Sequence, residues 1–253
     1  MIFLGNYFGG LLWYLMIFLA ALFGMNELYR IFGIARKPSG ILGYAALTAF
    51  YGCLYFGHEN YALPLFSAFL LLELILLIVT YPKTPDTELA AAVFGLFYVG
   101  VLFSALCLLR EEKNGFFLVW LVFIGAWGSD TFAYLTGMTL GKHKAFPVLS
   151  PKKSWEGCIG GVVGSALLGL IYAFIFENKL SGLSNPKLFV PVIMALTSVL
   201  SQCGDLAASA IKRQHNIKDY GKLIPGHGGI MDRFDSILFA APAIFYLLKL
   251  FCI

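Results

Sequence analysis

The chain has 253 residues, of which 59% are hydrophobic and 13% charged, with a formal net charge of +4 and a mean hydropathy of +0.81. Soluble domains carry about 25% charged residues, so this composition excludes an ordinary soluble domain and points to a polytopic membrane protein, whose spanning segments satisfy their own backbone as helices. The small positive charge favours anionic lipid surfaces, and no nucleic-acid partner is expected.

A spanning helix needs roughly 20 apolar residues. Such runs fall near 8–29, 40–57, 62–80, 88–109, 116–137, 157–177, 188–211 and 233–251. The sequence therefore predicts an all-α polytopic integral membrane protein of about eight (seven to nine) transmembrane helices. The second run is short, and residues 2–34 are apolar enough to contain an extra, interfacial element. The expected organisation is an N-terminal set of helices over 1–115 and a C-terminal catalytic region over 116–253, with cytoplasmic loops at 138–156 and 212–232. No basic stretch precedes the first apolar run, so a cleavable signal peptide is not expected. Cys53, Cys107, Cys158, Cys203 and Cys252 are scattered without metal-type spacing and read as small core residues.

With eight spans, thirteen of the eighteen lysines and arginines fall in odd-numbered connections. The positive-inside rule then puts those connections in the cytoplasm and both termini outside.

The connection at 137–157 reads GMTLGKHKAFPVLSPKKSWEG and follows a helix containing Asp130. Lys152 and Lys153 stand beside Ser150 and Ser154 just before a helix expected near Gly157. Basic residues ahead of a helix N-terminus make an anion site; the duller alternative is a topogenic loop with Ser154 as N-cap and Glu156 in the first turn. Gly157, Gly161, Gly160 and Gly164 then give overlapping small-xxx-small spacings that admit a neighbouring helix.

Residues 201–236 read SQCGDLAASAIKRQHNIKDYGKLIPGHGGIMDRFDS and are far more ionic than the apolar runs on either side. Ionisable groups at a bilayer are costly and mark a functional site by default. Asp205 falls in the last turns of the seventh helix, and Asp232 and Asp235 share one face if a helix starts near Asp232. Carboxylates of this kind suit magnesium, which takes a few of them with water and phosphate oxygens. Zinc does not fit, because His227 has no second nitrogen or sulfur ligand nearby. Singly, Lys212, Arg213, Lys218 and Lys222 read better as topogenic charges, and residues 225–229 as a tight turn. Together with Asp205, Asp219, Asp232 and Asp235 they point to phosphate chemistry at a membrane. Glu27, Glu73 and Asp130 are weaker candidates, since an interhelical hydrogen bond satisfies any of them.

Ser209, Lys212-Arg213, Lys218-Asp219, Gly221, Pro225, His227-Gly228-Gly229 and Asp232-Arg233-Phe234-Asp235, spread over 27 residues, resemble the signature of the phosphatidate cytidylyltransferases, also called CDP-diacylglycerol synthases. Ser150-Pro151-Lys152-Lys153-Ser154-Trp155-Glu156-Gly157 resembles a second block of that family, with Ser154 where threonine is usual. Asp130, Ala133-Tyr134 and Gly137 resemble the segment just ahead of it. These motifs cover roughly the C-terminal half.

The resemblance implies transfer of CMP from CTP to phosphatidic acid, giving CDP-diacylglycerol and pyrophosphate in phospholipid biosynthesis. It also implies Mg2+, with a second, monovalent cation such as K+, and a homodimer in the lipid bilayer of the cell inner membrane. Under it, Asp205, Asp232, Asp219 and Asp235 are the metal residues, and Lys212, Arg213 and Lys218 join Asp232, Asp205 and Asp219 as catalytic. Ser150, Lys152, Lys153, Ser154, Lys222, His227, Gly228, Gly229 and Arg233 are the substrate-binding set. Two rivals remain at this level. A transporter of a phosphorylated anion would show an internal repeat, which is not found, and a CTP-dependent lipid kinase would need a base for a lipid hydroxyl.

Overall fold

The computed structural model describes residues 2–180, 182–183, 185–221 and 228–252. The described chain is almost wholly helical, and two compact units are distinguishable: residues 1–107 with 219–232, and residues 108–218 with 233–253.

The first unit contains α1 (Ile2–Phe8), the additional N-terminal element that the apolar 2–34 stretch predicts, and α2 (Gly10–Ile31). It continues with α3 (Pro38–Tyr55), α4 (Ala62–Thr80) and α5 (Asp86–Gly95). Pro38 opens α3, where its missing N–H costs nothing. Asp86 and Glu88 lie in the first turn of α5, the end at which acidic side chains complement the helix dipole. A π-helical segment, Leu96–Val101, leads into α6 (Leu102–Glu111). The core holds fully buried Trp13, Tyr29, Leu47, Leu96 and Phe103. Its polar tips bond to backbone carbonyls, as buried Trp and Tyr require: Trp13 Nε1 to Leu106 O at 3.1 Å, Tyr29 OH to Ala92 O at 2.6 Å and Tyr51 OH to Gly100 O at 3.1 Å.

The second unit contains α7 (Gly115–Leu140), a hairpin of β1 (Lys144–Phe146) and β2 (Ser150–Ser154), α8 (Trp155–Ile175) and α9 (Pro186–Gln214). It also takes all but the first two residues of α10 (Met231–Cys252). The expected close approach along the α8 glycines is present, and it is α7 that approaches. A Cβ on Gly161 would stand 2.9 Å from Ser129 O, and one on Gly157 would stand 2.8 Å from Ala133 O.

Among the described residues, six helical stretches are long and apolar enough to cross a membrane: Gly10–Ile31, Glu59–Thr80, Asp86–Glu111, Gly115–Leu140, Trp155–Ile175 and Pro186–Gln214. The other two expected spans are also helices, α3 and α10, but α3 is less apolar, with Pro38, Ser39, Thr48 and several glycines and tyrosines in its 18 residues, and the first turns of α10 carry Asp232, Arg233 and Asp235. Three local expectations change. The segment expected as a plain loop over 138–156 contains a hairpin, because Ser150–Ser154 pairs with β1. The helix expected near Gly157 starts at Trp155, directly after the Ser154 cap. Helix α9 runs past residue 211 to Gln214, so Lys212 and Arg213 sit on its last turn rather than in a loop, where cations suit the helix C-terminus.

Candidate active site

In the second unit, Ser154 ends β2 and caps α8, its Oγ accepting the Gly157 N–H at 3.2 Å. A hydroxyl that accepts in a cap can still donate its own hydrogen, so the capping role expected for Ser154 does not use up the group. Glu156 turns back toward the hairpin, 2.6 Å from His143 Nδ1. The strand fixes alternate directions for Lys152 and Lys153: Lys152 is exposed, while Lys153 is partly buried and its Nζ lies 2.6 Å from Asp205 Oδ2. The side chains of this ion pair are 21% and 30% exposed while the Lys153 Nζ atom itself is buried, so it is not a solvated surface pair.

Asp205 lies nine residues before the end of α9 and belongs to a polar stripe on an otherwise apolar helix. Ser198, Gln202 and Asp205 recur at helical spacing. Gln202 Nε2 donates to Cys158 O at 3.1 Å, and Ser198 and Ser129 hydroxyls meet at 2.7 Å. Next to Ser129, Asp130 on α7 accepts from Ser236 Oγ of α10 at 3.3 Å. Asp130, Asp205 and Lys153 lie within electrostatic reach of one another, and Asp235 senses Asp205, Asp130 and Lys212. Carboxylates on three helices thus influence one another electrostatically, with Lys153 in direct contact with Asp205.

The part of the signature that groups with the N-terminal helices is built differently. Asp232, in the first turn of α10, accepts two backbone N–H groups on Oδ2, from Tyr220 at 2.8 Å and from Gly229 at 3.0 Å. Gly228 holds φ +84°, a conformation glycine adopts without strain. Asp219, Lys218, Arg213 and Arg233 are exposed, and Ser150 is half-buried. Lys222 and His227 lie outside the described residues.

Two of the weaker sequence candidates make long-range contacts that the sequence alone does not show. Asp130, which also belongs to the segment ahead of the Ser150 block, bonds Ser236 of α10 and lies within electrostatic reach of Asp205. Glu27 looked like a stray acid at a helix end, but it meets the signature segment. Along α8 and α9 runs an apolar cavity of about 320 Å³, lined by Phe146, Trp155, Ile159, Val199, Cys203 and Leu206. Trp155 follows Lys153 by two residues, and Leu206 follows Asp205 directly.

All ligand atoms offered by the acidic cluster are carboxylate oxygens, the donor type a hard cation takes. Among the described residues no group of three or more His, Cys, Asp or Glu side chains is set to hold a metal on protein ligands alone.

The described helices form an all-α polytopic membrane protein with a polar cluster of acidic and basic side chains in its second unit. A cytidylyltransferase family model matches residues 1–251. The phosphatidate cytidylyltransferase of Bacillus subtilis is 35% identical over 199 residues, covering 77% of this chain and 70% of that protein. That of Haemophilus influenzae is 38% identical over 182 residues, covering 68% and 63%. That of Brucella abortus is 43% identical over 154 residues, covering 60% and 54%, so the chain spans less than two thirds of the latter two relatives. The chain belongs to the cytidylyltransferase family.

Proposed function

We infer that the chain is a phosphatidate cytidylyltransferase, a CTP-dependent nucleotidyltransferase that moves CMP from CTP to phosphatidic acid and yields CDP-diacylglycerol and pyrophosphate. The observation that carries this reading is the 2.6 Å pair between Lys153 and Asp205. It joins the Ser150–Gly157 block to the helix that leads into the Ser209–Asp235 signature, two sequence blocks that a shared phosphate site must bring together.

The reaction needs positioning and charge neutralisation more than covalent participation by the protein. A phosphate oxygen of phosphatidic acid attacks the α phosphorus of CTP in line. The new P–O bond forms as the bond from the α phosphorus to the bridging oxygen breaks, and that electron pair departs with pyrophosphate. The nucleophile is already anionic, so no general base is required. Lys152 and Lys153 on β2 supply ammonium groups to the phosphates, and Ser150 and Ser154 supply hydroxyl donors. Lys212, Arg213, Lys218 and Arg233 add cationic charge, the arginines through bidentate contacts.

Mg2+, when bound, neutralises the triphosphate and the leaving pyrophosphate. The carboxylates we assign to it begin with Asp205, supported in its own unit by Asp235 and Asp130; Asp232 and Asp219 are the further ligands the signature implies. A monovalent cation such as K+ is the second ion of this proposal. Chelation by EDTA is expected to abolish turnover, and Mg2+ but not Ca2+ to restore it, because the larger ion prefers six to eight ligands at longer distance.

The apolar cavity beside Lys153 and Asp205 supports a lipid as one substrate, since acyl chains and a phosphate head require adjoining apolar and cationic surfaces. Replacing Ile159, which lines it, with Trp is expected to raise the KM for phosphatidic acid several-fold while leaving that for CTP unchanged; equal effects on both would remove the cavity from lipid binding. The skew of basic residues to one side supports a multi-pass protein of the inner membrane with its site facing the cytoplasm, and we propose a homodimer.

The discriminating experiment traces label. Under this reading, α-labelled CTP transfers its phosphorus to lipid and γ-labelled CTP does not. Transfer from the γ position instead would make the protein a lipid kinase, and transfer from neither would return it to the transporter class.

A further inference from the structure

The carboxylate of Glu27, near the end of α2, receives two backbone N–H groups from a segment more than two hundred residues away in sequence. Ile230 N donates to Oε1 at 3.0 Å and Met231 N to Oε2 at 3.0 Å. These are among the N–H groups that the start of α10 leaves without intrahelical partners. A carboxylate is a strong acceptor for them and also complements the helix dipole.

The surroundings are shaped to this contact. Glu27 is only 5% exposed. A Cβ on Gly221, or on Gly229, would collide with the Glu27 carboxylate, so a larger residue at either position would displace that carboxylate from its present place. Residues 222–227 lie outside the described residues, and the glycines on either side of them converge on one side chain. One turn earlier on α2, Gly24 admits Met231: a Cβ there would stand 3.2 Å from its Sδ.

The same short segment is held by a second carboxylate. Asp232 takes the N–H groups of Tyr220 and Gly229, and Glu27 takes those of Ile230 and Met231. Four backbone amides are therefore divided between two acids, and the orientation of Asp232 depends on a backbone that Glu27 fixes. We propose that Glu27 is a positioning residue for cytidylyl transfer: it clamps the backbone of residues 229–231 and so sets the direction in which Asp232 presents its carboxylate. This rests on the phosphatidate cytidylyltransferase reading for its catalytic consequence, though not for the clamp itself.

The substitution Glu27→Gln is the informative one, because it keeps size and one acceptor oxygen but turns an N–H donor toward one of the two amides. Glu27→Asp keeps the charge one methylene further back. Two readouts on the full-length protein in detergent decide the matter. The first is amide hydrogen exchange of the peptide covering residues 228–232, measured without substrate; loss of a charge-assisted bond predicts about tenfold faster exchange or more in Glu27→Gln. The second is steady-state kinetics, in which kcat is expected to fall at least about tenfold in Glu27→Gln with the KM for phosphatidic acid unchanged, and to recover partly in Glu27→Asp. Unchanged exchange in Glu27→Gln would overturn the clamp. Faster exchange with unaltered kcat, or an equal loss in Glu27→Asp and Glu27→Gln, would reduce Glu27 to a structural residue. Should the unaltered protein prove inactive with CTP and phosphatidic acid, the exchange result still decides the clamp, and only the assigned reaction fails.

Discussion

Replacement of Asp232 by Asn is expected to lower turnover by about 10²–10³-fold or more, the range seen when one preorganised electrostatic group is removed from an active site. The argument rests on what the substitution preserves. Asp232 Oδ2 accepts from Tyr220 N and Gly229 N, and an Asn side chain can turn its carbonyl oxygen to the same two donors. The loop therefore keeps its anchor, while the negative charge and the second carboxylate oxygen are lost. Expression, detergent-extracted yield and thermal midpoint should stay close to the unaltered protein. Asp232→Ala, which removes both hydrogen bonds, should lose stability as well as activity. Asn and Ala variants that are equally active would take Asp232 out of the chemistry, and an Asn variant that fails to fold would make its role structural.

Lys153→Met is expected to be nearly as damaging, and a double substitution separates its two causes. Losing the ammonium leaves Asp205 without its 2.6 Å partner on a helix that crosses the membrane. A lone charge there costs about 2.5–3.5 kcal/mol on an insertion scale, and the 30% exposure of Asp205 reduces that cost. Adding Asp205→Leu removes the orphaned charge, so the double variant should recover thermal stability, as replacement of paired charges by apolar residues commonly does. It should not recover pyrophosphate release, because a phosphate-binding ammonium and an assigned metal carboxylate are both gone. A double variant that regains activity along with stability would show the pair to be scaffolding.

Helix positions were legible from apolar run length alone, since a membrane admits few alternatives to a helix for a run of about 20 such residues. The limits of that rule lie at the ends. Run length placed the close of α9 near residue 211, but hydrogen bonding carries the helix to Gln214 because Lys212 and Arg213 suit a C-terminal turn. The β1–β2 hairpin was not legible: Ser150-Pro151-Lys152-Lys153-Ser154 has neither alternation nor β-branched residues, and its strand comes from pairing with β1. At the site, the acids and bases of the signature could be named from composition, whereas their partners could not. Nothing local in the sequence tells that Lys153 meets Asp205, that Asp130 faces the same cluster, or that Glu27 reaches Ile230 and Met231. Each of these contacts joins segments 52 to 204 residues apart, and only tertiary packing brings them together.

The measurement that bears most directly on the assigned reaction is pyrophosphate release by the purified protein in detergent, with CTP and Mg2+, in the presence and absence of phosphatidic acid. The expected result is release that requires phosphatidic acid, with one CDP-lipid formed per pyrophosphate and no CDP liberated. Pyrophosphate released at the same rate without the lipid, or CTP left intact in its presence, would contradict cytidylyl transfer to phosphatidic acid.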